Sequence, residues 1–151
     1  MIPILLALHI LAVVFWVGGM AVAYTILRPA AGGLEPAQRL PLWRRVFASF
    51  LPRVGGAIVV ILVTGIWMIF PIFGGFATAP LVVNLMMATG ILMMLLYLHL
   101  VFAPWKRFRM AVDGGDLQAA ARNLDRIRRT VAINTALGLL TIVIAVSGGA
   151  W

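Results

Sequence analysis

Two histidines, His9 and His99, are the only imidazoles in the 151-residue sequence, and each sits inside a long apolar run. An ionisable ring in hydrocarbon is expensive to keep, so each is read first as a functional group: a metal ligand or a haem axial ligand. Counting along a helix from His9, Trp16 and Met20 fall within about 20° of the same face. Met68, Asn84, Met86 and Met87 lie in other apolar runs at the depth of His9. Met20 reaches the depth of His99, where Asn134 also lies. Imidazole with thioether suits Cu(I), and the same pair suits haem iron. The candidate metal ligands are therefore His9, His99, Met20, Met68, Met86, Met87 and Asn84. The candidate cofactor contacts are His9, His99, Met20 and Trp16.

The elements that must position these groups follow from composition. Apolar residues make up 64% of the chain, and the mean hydropathy of +1.10 is far above that of a soluble domain. Four runs, about 3–27, 54–73, 80–104 and 130–150, are long enough to cross some 30 Å of hydrocarbon. The expected fold is an all-α, polytopic bundle of four transmembrane helices forming one domain, with connecting loops 28–53 and 105–129. The first run has no basic segment before it and is read as a retained span rather than a secretory signal. With a rise of 1.5 Å per residue, His9 and His99 differ in depth by about 13 to 20 Å, too far to share one metal.

All twelve Lys and Arg fall in the two connections 28–53 and 105–129, while the connection between the second and third runs carries no charge. Positive loops stay on the cytoplasmic side, which places both termini outside and points to a bacterial-type cytoplasmic membrane. The net charge of +8 is thus topological. Those arginines can also meet anionic headgroups, and no motif suggests nucleic acid. The four runs contain no charged residue, which argues against a proton relay built on ion pairs.

Within the first basic connection, Leu42, Trp43, Val46, Phe47 and Phe50 recur at helical spacing among arginines, and an interfacial helix is expected there. In the second, Asp116 is placed to cap a helix that runs into the fourth span, with Asp125, Arg128 and Arg129 in a solvated surface pairing. Pro52, Pro71, Pro80 and Pro104 are read as span ends. Glycines such as Gly18, Gly19, Gly65, Gly90 and Gly138 allow close approach of helices or of a flat ligand. Met86, Met87, Met93 and Met94 turn away from His99 and also suit plain packing. The absence of cysteine removes thiolate sites and disulfides. Phosphate-loop and zinc-protease motifs are missing as well.

Four stretches carry a family likeness. LHILAVVFWVGGM (8–20) with LRP (27–29), and VILVTGIWM (60–68), resemble the copper resistance D membrane domain. LYLHLVFAPWKRF (96–108) is similar to the HemJ-type protoporphyrinogen oxidases, distant relatives associated with haem b. The resemblance implicates His9, Trp16 and His99. It implies either copper handling at or across the membrane, or a haem b redox protein whose second axial ligand comes from methionine or a second chain. Asn84 stands where both families tend to carry a lysine, which weakens transfer of the oxidase activity. A small accessory subunit of a membrane complex is the third reading. The partners expected are the bilayer and either a homodimer mate or a membrane-complex partner.

Overall fold

The computed structural model describes residues 1–148; the last residues of the expected fourth span, 149 and 150, and the C-terminus lie outside the described residues. Four long apolar helices follow one another: α1 (Ile2–Gly32), α2 (Pro36–Phe73), α3 (Leu81–Asp113) and α4 (Leu117–Ser147). No strand occurs among the described residues. This is the expected four-helix membrane-spanning bundle.

The connections are shorter than the composition suggests. Residues 28–53 were expected to hold a separate interfacial helix, yet α2 is one continuous helix of 38 residues, about 57 Å long at 1.5 Å per residue. Pro52 and Pro71 lie inside it with Pro41, and do not end it. Tertiary packing holds the helix through them, although each removes a backbone donor. Pro104 likewise lies within α3, in a π-helical turn over Val101–Trp105. A wider turn accommodates a ring that would clash with the carbonyl four residues back. Only Pro80 marks a boundary, as the residue preceding α3. The basic connections are therefore mostly helical extensions of the spans.

Turn chemistry sets the remaining boundaries. Gly74 takes φ +77° after α2 and its N–H donates to the Phe70 carbonyl at 2.9 Å, the left-handed stop that only glycine adopts freely. The Asp116 carboxylate accepts from the Ala119 N–H at 2.8 Å and caps α4 as expected. Chain direction alternates, so Met1 sits beside the end of α2: Met1, Ile2 and Pro3 face Ile66, Phe70 and Pro71 across an apolar groove.

Burial occurs in two layers. At the arginine-bearing end, Leu40, Trp43 and Phe47 of α2 pack on Trp105 and Phe108 of α3 and on Leu124 and Ile127 of α4. Phe108 is completely buried. The Phe47 ring stands edge-on to both Trp105 and Phe108, at 6.0 and 6.4 Å, a favoured arrangement of aromatic quadrupoles. Arg44 grips Asp113 through two hydrogen bonds of 3.0 Å and ties α2 to the end of α3. The second layer crosses the bundle with Trp16, Val17 and Met20 of α1, Val54 and Ile58 of α2, and Met93 of α3. Many other large apolar side chains, such as Val59, Trp67, Leu95 and Val143, are exposed along the helices, as a lipid-facing surface requires.

Candidate metal centre

His9 lies on the half of α1 that packs against α2. Its Nδ1 is 2.9 Å from the hydroxyl oxygen of Thr64, and Thr64 is only 3% exposed. A threonine hydroxyl has one proton, and here it goes to the Val60 carbonyl at 2.6 Å, the usual back-bond one helical turn away. The oxygen is left as an acceptor, so Nδ1 of His9 carries the proton and donates it. The Ile61 carbonyl is a second, longer acceptor of the same hydroxyl, at 3.4 Å. Nε2 therefore keeps a free lone pair. A ligating histidine held by an acceptor on its other nitrogen is the ordinary geometry of a metal site.

Gly65 makes this approach possible. A Cβ at that position would stand 3.2 Å from Cε1 of His9, so a larger residue would press the imidazole away from α2. Met68 lies one turn beyond Thr64 on the same buried face of α2. The apolar groove between the start of α1 and Val63–Pro71 of α2 encloses about 1000 Å³ on this same helix pair. His9, Thr64 and Gly65 thus form one neighbourhood, with Met68 buried one turn further along α2. Sequence reasoning offered His9 and Met68 as ligands and Gly65 as a point of close approach, and passed over Thr64. Thr64 is the only hydroxyl between residues 54 and 73, which is the clue that could have found it.

The other expected ligands have different surroundings. Asn84 donates through Nδ2 to the Ala79 carbonyl at 3.2 Å and ties down the start of α3. Met86 and Met87 are half-buried on α3, whose main partner is α4, whereas His9 belongs to the α1–α2 pair. Met20 is buried among Trp16, Val54 and Met93. Trp16 stands edge-on to Tyr97, with ring centroids 6.5 Å apart. Asn134 is buried and donates to the Met93 carbonyl at 3.3 Å.

His99 is exposed and borders a groove of about 380 Å³ with Arg107, Arg126, Arg129 and Thr130. Met20 and His99 therefore occupy opposite settings, one in the core and one at the basic surface. Arg129, not Arg128, pairs with Asp125, at 3.0 Å. The midplane between the two histidines is filled by Trp16, Val17, Met20, Val54 and Met93. These residues do not fit a haem held between a buried methionine and His99. Among the described residues no cluster of three or more His, Cys, Asp or Glu occurs. That leaves imidazole and thioether as the donors on offer, a soft set.

No curated protein and no solved structure matches the chain. A family model described as "Copper resistance protein D" matches residues 44–147, which include Thr64, Gly65, Met68 and His99 and leave His9 outside. The match covers more than half of the chain, and this multi-pass membrane protein belongs to the copper resistance protein D family.

Proposed function

We propose that the protein handles copper within the membrane, taking Cu(I) at His9. The observation that carries this reading is the His9–Thr64–Val60 chain of hydrogen bonds, which leaves Nε2 of His9 as an unprotonated donor. Met68, on the same face of α2 as Thr64, is the nearest thioether in sequence to supply a second soft ligand. Two such ligands form a sparse site, suited to a metal that is received and passed on rather than held as a permanent cofactor. The groove between Met1–Pro3 and Val63–Pro71 supplies the approach. By the distribution of arginines, this end of the bundle faces the outside of a cytoplasmic membrane.

The test is metal counting on the detergent-purified protein after loading with Cu(I) under reducing conditions and removal of excess. About one copper per chain is expected for the native protein, and a loss of most of it for His9→Ala that still inserts and folds. Equal copper in both proteins would overturn the reading.

A further inference from the structure

A second polar site lies at the basic end, on the opposite side of the molecule's chemistry from His9. Three donors there are shut off from solvent and have no hydrogen-bond partner among the described residues: Nε of Arg39, Nε of Arg128 and Nε1 of Trp43. Arg39 and Trp43 are one turn apart on α2. Arg128 comes from α4, with its guanidinium 5.8 Å from the Trp43 ring centroid. Arg28, at the end of α1, is near enough to Arg128 for mutual repulsion, as is Arg39. The Arg128 guanidinium lies over the indole, and its Nε–H is left without an acceptor.

Protein carboxylates do not resolve this. The chain has four acidic residues. Asp113 is held by Arg44, Asp116 caps α4, and Asp125, the acid nearest Arg128, is bound to Arg129. Glu35 is exposed and makes no ion pair among the described residues. Buried donors without partners are rare in folded proteins, and three guanidinium groups drawn together need a counter-charge. A phosphate group meets both needs, with several oxygens to accept from the two Nε–H groups and the indole N–H.

We infer that Arg39, Trp43 and Arg128, with Arg28 at the rim, form a binding site for a phosphate group, supplied by the headgroup of an anionic phospholipid or by inorganic phosphate. The site stands where apolar helix gives way to basic sequence, the level at which headgroups lie. It is independent of the copper reading, since none of its residues touches the His9 neighbourhood.

The experiment uses the full chain, delipidated in a zwitterionic detergent. It is titrated with short-chain phosphatidylglycerol, with phosphatidylcholine of equal chain length and with inorganic phosphate, and the thermal midpoint is followed. Phosphatidylglycerol is expected to raise the midpoint, and Arg39→Gln or Arg128→Gln to weaken its apparent affinity by about tenfold or more. Trp43→Phe, which keeps the ring and removes only the indole N–H, should weaken it in the same direction. Arg45→Gln, an equal loss of charge at an exposed position of α2, should change it by less than about twofold. A response to phosphatidylglycerol alone identifies the headgroup as the source, and an equal response to inorganic phosphate identifies the free ion. An equal response to phosphatidylcholine, or equal losses in Arg45→Gln and Arg128→Gln, would overturn the proposal.

Discussion

Nδ1 of His9, on the first helix, stands 2.9 Å from the Thr64 hydroxyl on the second. With that hydroxyl donating to the Val60 carbonyl, the ring proton is assigned to Nδ1 and the lone pair to Nε2. In the proposed copper site, one backbone-directed hydrogen bond on α2 thereby sets which nitrogen of a side chain on α1 faces the metal.

Thr64 is accordingly a positioning residue, and its two conservative variants should separate. Thr64→Val removes the acceptor and is expected to lower Cu(I) affinity by about 10 to 100-fold, the usual cost of losing the partner of a ligating histidine. Thr64→Ser keeps the hydroxyl and should stay within about threefold of the native protein. Competition with a chromophoric Cu(I) chelator reads both. Equal affinities for Thr64→Val and the native protein would remove Thr64 from the site.

Gly65→Ala should uncouple binding from stability. The new methyl would meet Cε1 of His9 at 3.2 Å and push the ring off its hydrogen bond. Alanine also favours the helix by about 1 kcal/mol relative to glycine. The expected result is weaker copper binding, by about tenfold, with an unfolding midpoint that does not fall. A lowered midpoint with unchanged affinity would show that Gly65 serves helix packing alone.

His99→Ala should leave copper stoichiometry unchanged, because His99 faces the basic groove and not the α1–α2 pair. Oxidised and dithionite-reduced visible spectra of the same samples test the haem alternative. Sharp reduced bands that His99→Ala abolishes would replace the copper reading with a haem one.

Phe108→Ala probes the opposite end. The ring is fully buried against Phe47 and Trp105, and its loss should cost about 3 to 5 kcal/mol by leaving a cavity. Copper bound per folded chain should be unaffected. Chemical or thermal unfolding in detergent, alongside metal counting, distinguishes the two quantities.

Much of the fold was legible because the bilayer imposes a simple rule: an apolar run long enough to cross it becomes a helix. The four spans and the Asp116 cap follow from local pattern. The continuity of α2 does not. Pro41 and Pro52 read locally as interruptions, and only packing of Leu40, Trp43, Phe47 and Leu51 against α3 and α4 holds the helix through them. The site was half legible for a related reason. A histidine in hydrocarbon announces itself, whereas Thr64 and Gly65 matter only because α1 packs on α2 in one register. Depth alone placed Met86 and Met87 with His9, and depth says nothing of which helices are neighbours. The same blindness paired Met20 with His99, when one faces the core and the other the surface.

The most direct measurement is the copper K-edge X-ray absorption spectrum of the Cu(I)-loaded protein, native and His9→Ala. Imidazole scattering from a single ring, together with a sulfur neighbour, is the expected result for the native protein, with the imidazole contribution absent from His9→Ala. A native spectrum without imidazole scattering, or one unchanged by His9→Ala, would contradict copper binding at His9.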